Sequence, residues 1–151
     1  MAASAGDRVD RTELRRERGD YLGFCLGAYL ATAQYGFGVF GGTARRHANA
    51  PGSLITTLGA TIADVDWRGV RRPMFFQDGP QFTAPSGADI IARYPGGAAA
   101  ALVSSYGSGR VGLVGPHPEA TKSWFPAGAS IDSRAVDPSA AYDLIASTHR
   151  R

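Results

Sequence analysis

At 151 residues the chain fits one domain that buries roughly two thirds of its unfolded surface, and it is too short for two independent domains. The net charge of +3 comes from fifteen arginines and one lysine, Lys122, against thirteen acids, with the arginines scattered rather than gathered on one stripe, so no nucleic-acid partner is expected. One cysteine excludes an internal disulfide and a cysteine-based zinc site, and three separated histidines offer no metal-ligand spacing, so no metal or other cofactor is expected.

Residues 1–20 carry five arginines and five acids with little to bury. Asp10 and Glu13 have the spacing of a capping box, which predicts a short exposed helix from Arg11 to Arg18, stopped at Gly19. Residues 1–19 therefore read as an exposed charged segment ahead of a domain over 20–151. Neither an apolar run of roughly eighteen residues nor a basic-then-apolar leader is present, so no membrane partner is expected and the expected location is the cytoplasm.

Tyr21 to Phe24 reads as a buried strand, and Leu26 to Gln34 carries Ala, Leu and Tyr at helical spacing. "YGFGVFGGTARRHANAPGS" is glycine-rich and predicts loops around at most one short strand at Phe37 to Phe40, on the surface or the active face; His47 could line the site from this loop, but a solvated loop histidine is the expected reading. Strands are expected at Leu54 to Trp67, Pro73 to Gln77, Asp89 to Tyr94, Ala99 to Ser105 and Arg110 to Val114, with Asp78-Gly79 as a turn. In "SYGSGR", Gly107 and Gly109 can take positive φ, which predicts a hairpin. Asp137 as N-cap and Pro138 at the first helical position start a last helix, whose apolar face would be Tyr142, Leu144 and Ile145. Trp67 and Trp124 read as packing residues.

The chemistry-bearing stretch is "YLGFCLGAYLA". A nucleophile on a sharp strand-to-helix turn needs small neighbours, because the turn brings backbone segments together, and Gly23 and Gly27 would give that room to Cys25. The following helix would aim its unpaired N–H groups at the sulfur and favour the thiolate, and the Leu26 N–H would donate to an oxyanion. The competing account of Cys25 is a small buried apolar residue. The strand Arg110 to Val114 runs into "GPHPE", where Pro118 biases His117 toward an extended conformation, so His117 and Glu119 project to one side at the strand's carboxyl end. Alone, His117 would be a turn histidine and Glu119 a solvated acid. Together with Cys25 they form a nucleophile, a base and an orienter.

"GFCLGAYLA" and "GLVGPHPE" resemble the class I glutamine amidotransferase-like fold, most closely the amidotransferase-like domain at the N-terminus of biotin–protein ligases and related stand-alone proteins. "DVDWRG", "PMFFQDGPQF" and "IIARY" fit the strand-rich middle of that domain, and the likeness spans roughly Leu14 to Thr148. The resemblance implies an α/β fold of the flavodoxin-like kind, a three-layer α/β/α sandwich with a β-rich insertion, and a cysteine-dependent amide hydrolase or acyl transferase acting on a small-molecule amide or acyl substrate. Cys25, His117 and Glu119 map onto the family's catalytic positions. The family's first βαβ portion and its Pro-Gly-Gly type loop, which supplies a second oxyanion donor, have no counterpart in the twenty residues before the elbow strand. An N-terminally truncated domain is therefore expected, completed by a missing segment or a partner chain, or else inactive and serving as a binding or interaction module. "GSGRVG" faintly resembles the adenylate loop of biotin ligases but is better explained as the hairpin turn.

Overall fold

The computed structural model describes residues 19–150 and is a mixed α/β fold built on one curled sheet of eight strands. In chain order these are β1 (Tyr21–Phe24), β2 (Thr43–Arg46), β3 (Thr61–Trp67), β4 (Val70–Phe76), β5 (Pro80–Thr83), β6 (Asp89–Arg93), β7 (Ala99–Tyr106) and β8 (Gly109–Val114). Two α-helices, α1 (Leu26–Leu30) and α2 (Ser139–His149), and two 3-10 turns, Lys122–Trp124 and Ser133–Val136, complete the described elements. The main strand order is β1-β8-β7-β6-β3-β4, with β5 on β7 and β2 on β5. Among the named strands only the β1–β8 pair is parallel.

The spine is β7, which is apolar on both faces, as a strand covered from both sides must be. Leu102, with Val111 and Leu113 of β8, packs on one side against Ala28 and Ala31 at α1 and against Val39 and Phe40. Ala101, Val103 and Val114 point to the other side and meet Ala140 and Leu144 of α2, together with Trp67 and Phe76. The two helices thus cover opposite faces of the β7–β8 pair. Close packing of α2 depends on Gly112, where a Cβ would collide with the Thr148 hydroxyl. Asp143 ties α2 to the sheet by accepting from Trp67 Nε1 at 2.8 Å and from Arg68 Nε at 2.7 Å. Burial opposes ionisation of that carboxyl, but these donors prevail and hold it below the usual aspartate range.

Several boundaries differ from expectation for identifiable reasons. Helix α1 ends at Leu30 rather than Gln34 because the glycine-rich chain folds back on it: Phe37 N–H donates to Leu30 O, and Val39 and Phe40 N–H both donate to Ala31 O. Phe37 to Phe40 forms no strand; Phe40 makes one isolated parallel bridge to Thr32. Val39 and Phe40 are core residues, not surface ones. Strand β3 begins at Thr61, not Leu54, and Leu54 is 78% exposed. Strand β4 starts at Val70, ahead of the expected Pro73, because Arg68 (φ 50°) and Gly69 (φ 84°) form a two-residue hairpin turn from Trp67. Strands β2 and β5 were not expected; β2 exposes three of its four residues, so it carries almost no apolar signal.

The β7–β8 hairpin forms as expected, with positive φ at Gly107 (56°) alone; Gly109 is already strand. Helix α2 starts one residue later than expected: Pro138, not Asp137, is its N-cap, its carbonyl accepting from Tyr142 N–H, while Asp137 Oδ1 accepts from Ser139 N–H at 2.9 Å from just ahead of the helix. The buried stripe of α2 is Ala140, Ala141, Leu144, Ser147 and Thr148, while Tyr142 is 67% exposed, contrary to its expected place on the apolar face. The helix expected at Arg11 to Arg18 lies outside the described residues. No described helix is long and apolar enough to cross a membrane.

Candidate active site

Cys25 occupies the step from β1 to α1. Its N–H donates to Val114 O at 2.9 Å, continuing the β1–β8 ladder by one residue, and its own carbonyl accepts from Ala28 and Tyr29 N–H to open the helix. Its backbone, φ 49° and ψ −103°, is one that a residue with a side chain seldom adopts. Gly23 is what permits the turn: a Cβ there would sit 2.6 Å from Gly27 O and 2.8 Å from Ala28 N. Gly27 differs from expectation. A Cβ at Gly27 would meet nothing nearer than Tyr21 Oη at 3.9 Å, so this glycine supplies a backbone surface, not indispensable space. Tyr21 Oη donates to Gly27 O at 2.6 Å and braces the turn from below. Helix α1 is five residues long, so it sums fewer peptide dipoles toward the sulfur than the expected longer helix would. The Leu26 N–H makes no hydrogen bond among the described residues.

The second half of the site forms where β8 gives up the edge of β7 to β5. Gly115 N–H still donates to Ala100 O at 2.8 Å, but a Cβ on Gly115 would strike Pro80 O and the Tyr94 hydroxyl. The chain turns aside, and His117 makes a single antiparallel bridge to Phe75, donating its N–H to Phe75 O at 2.8 Å. The imidazole packs edge-on to Phe75 and tilted against Trp124, with ring centres 5.9 Å and 4.9 Å away. Glu119 Oε1 lies 2.6 Å from His117 Nδ1, which leaves Nε2 for the cysteine. Burial acts to lower the His117 pKa, yet hydrogen bonds to Cys25 and Glu119 and their negative charges outweigh it and raise it to about 9. Cys25, His117 and Glu119, far apart in sequence, are thereby brought together, with Gly23, Leu26 and Gly27 forming the elbow around the sulfur.

Four contributors were not foreseen: Gln77, Tyr29, Arg46 and Trp124. The Asp78-Gly79 turn forms as expected, but it lies over the thiol: Cys25 Sγ donates to Gln77 O at 3.4 Å, and Asp78 has φ 52°. Tyr29 Oη donates to Asp78 O at 3.0 Å, and Arg46 clasps the Asp78 carboxylate at 2.7 and 3.1 Å. Trp124, expected as packing, is 42% exposed beside His117. The signal for the turn was the Asp-Gly pair after an aromatic strand; Gly79 is needed because a Cβ there would collide with Gly115 O.

His47 is not the solvated histidine expected. It is 2% exposed, stacked on Tyr94 with ring centres 3.6 Å apart, and burial holds it below the ordinary imidazole range. With the Gln81 amide turned to suit its neighbours, the amide nitrogen donates to His47 Nδ1 while its oxygen accepts from Arg45. Ser53 Oγ then accepts from Nε2. Both ring nitrogens are spent on structure, and His47 stands outside the cysteine site.

Among the described residues no group of three or more His, Cys, Asp or Glu side chains could hold a metal ion. No family model matches the chain, and no curated protein matches it.

Proposed function

We propose that the chain is a class I glutamine amidotransferase-like domain, nearest in kind to the N-terminal domain of biotin–protein ligases, and that it hydrolyses or transfers the acyl group of a small-molecule amide. The observation that carries this reading is the backbone of Cys25, φ 49° and ψ −103°, held between a parallel strand and a helix opposite the His117–Glu119 pair. Helices on opposite faces of β7–β8 support a three-layer α/β/α core, with β3 and β4 as the β-rich insertion.

In the reaction proposed, Cys25 Sγ gives its proton to His117 Nε2 and attacks the substrate carbonyl. A C–S bond forms and the carbonyl π pair moves onto oxygen, where the Leu26 N–H donates to it. Collapse of this intermediate expels the amine, which takes the proton from His117. Water, deprotonated by His117, then cleaves the thioester to the acid and restores the thiol. Glu119 fixes the tautomer of His117 and stabilises its cation.

The test is alkylation by iodoacetamide. Beside His117, whose pKa is raised to about 9, Cys25 should label faster than free cysteine at neutral pH. Labelling no faster than free cysteine, and rising with pH as an ordinary thiol does, would count against the reading. One observation favours a second reading, a non-catalytic binding module: the hydrogen-bond partner of the Cys25 sulfur is a carbonyl, Gln77 O, where an oxyanion site needs a donor.

A further inference from the structure

We propose that the Gln77–Asp78 peptide is a switchable second oxyanion donor, which turns over when the Cys25 thiol ionises and exchanges the Gln77 carbonyl at the sulfur for the Asp78 N–H. The inference rests on the cysteine-dependent reading above, and it removes the observation that favours the inactive one.

Cys25 Sγ lies 3.4 Å from Gln77 O, the contact a protonated thiol makes as a donor. A thiolate has no proton to donate, and a carbonyl oxygen facing it is repelled. Ionisation therefore converts the one hydrogen bond on this peptide into a force that turns it. Asp78 N–H has no hydrogen bond among the described residues, so turning breaks nothing on that side. Both flanks are held. Upstream, Phe75 O accepts from His117 N–H; downstream, Asp78 O accepts from Tyr29, Arg46 holds the Asp78 carboxylate and Gly79 O accepts from His47 N–H.

A peptide plane between two fixed ends can rotate by half a turn through ψ of the first residue and φ of the second, leaving the chain path unchanged. Here that would carry Asp78 from φ 52°, which a side chain tolerates poorly, to a negative φ of about −130°. The form described thus holds a positive φ that turning would relieve. After rotation the Asp78 N–H and the Leu26 N–H both face the sulfur's surroundings, the two donors an acyl-transfer intermediate requires. The titratable and charged groups about the sulfur are His117 and Glu119 beyond β8, Tyr29 on α1, Tyr94 after β6, Asp78 itself and Arg46 on β2. Both tyrosines are pushed above the ordinary phenol range by burial and stay neutral throughout, which leaves the Cys25–His117 pair to drive the change.

The first test follows the Asp78 amide proton by NMR in the 151-residue chain while the Cys25–His117 pair is titrated. Its resonance should move downfield and its exchange with water slow as the sulfur ionises, and neither should occur in Cys25→Ala. An Asp78 amide that does not respond in the wild type overturns the proposal. The second test uses Asp78→Pro, which lacks the N–H and cannot hold positive φ. The ratio of Cys25 acetylation by p-nitrophenyl acetate to alkylation by iodoacetamide should fall about a hundredfold, because only acetylation passes through an oxyanion. Asp78→Asn, which retains the N–H, should keep the wild-type ratio. An unchanged ratio in a folded Asp78→Pro protein overturns the proposal, and if that variant does not fold the amide titration decides alone. Acetylation equally fast in Cys25→Ser would sink the cysteine reading instead, and the amide titration would still decide whether the peptide turns.

Discussion

Gly23→Ala is expected to destabilise the protein by about 3 kcal/mol or more, whereas Gly27→Ala, four residues away, should be neutral or stabilising by up to about 1 kcal/mol. The difference comes from what each new methyl group meets. At Gly23 it would lie 2.6 Å from Gly27 O, 2.7 Å from Gly27 C and 2.8 Å from Ala28 N, all backbone atoms of the elbow helix, and none can swing aside as a flexible side chain could. Relief requires α1 to lift off β1, which would uncover Ala28 and Ala31 from the core they share with Val111 and Leu113. At Gly27 the nearest atom is Tyr21 Oη at 3.9 Å, an ordinary contact, and alanine is the better helix former. Urea denaturation of the two variants measures both effects on one scale. A Gly23→Ala protein as stable as wild type would mean that β1 and α1 do not approach as described.

His117→Ala should reduce the rate of Cys25 acetylation by about a thousandfold, within the range expected for loss of a positioned acid–base group. The same substitution changes the pH dependence of stability, with a definite sign. The folded-state pKa of His117 is raised from 6.5 to about 9, so protonation favours the native state. Its contribution is complete below about pH 6.5 and is lost as pH rises through about 9. Wild type should therefore be more stable than His117→Ala in mildly acid solution, and the gap should narrow steadily up to and past that point. Glu119→Gln should lie between, because it removes one of the two negative partners but leaves the ring in place. Thermal unfolding of the three proteins over this pH range checks the order. A gap that widens with pH would show that burial outweighs the Cys25 and Glu119 partners and that the imidazolium is not held as described.

What the sequence revealed of this site, and what it hid, divides along physical lines. Strands β1, β6, β7 and β8 are bounded by Gly, Pro and Asp and covered on at least part of both faces, so continuous apolar runs betray them. The elbow was legible because a cysteine between glycines, after an aromatic strand, has few other structural uses. "GPHPE" was legible because Pro118 constrains the chain on which His117 and Glu119 sit. Strand β2, by contrast, is Thr-Ala-Arg-Arg with only Ala44 buried, and its ladder with β5 is a tertiary choice that no local pattern announces. The burial of Val39 and Phe40 depends on carbonyls left open when α1 stops at Leu30, which spacing alone does not show. His47 differs for the same reason: its partners, Gln81 of β5 and Tyr94 just past β6, lie far along the chain. Gln77 was passed over because it acts through its backbone carbonyl, and side-chain chemistry is silent on where a carbonyl points.

The central claim, that Cys25 with His117 and Glu119 is an acyl-transfer nucleophile, is tested most directly by trapping the acyl-enzyme. The intact protein is treated with p-nitrophenyl acetate, quenched in acid, and its mass and modified residue are determined. The account predicts one acetyl group per chain, on Cys25, formed much more slowly in His117→Ala and absent from Cys25→Ser. An unmodified wild-type chain, or equal acetylation of Cys25→Ser, would contradict it.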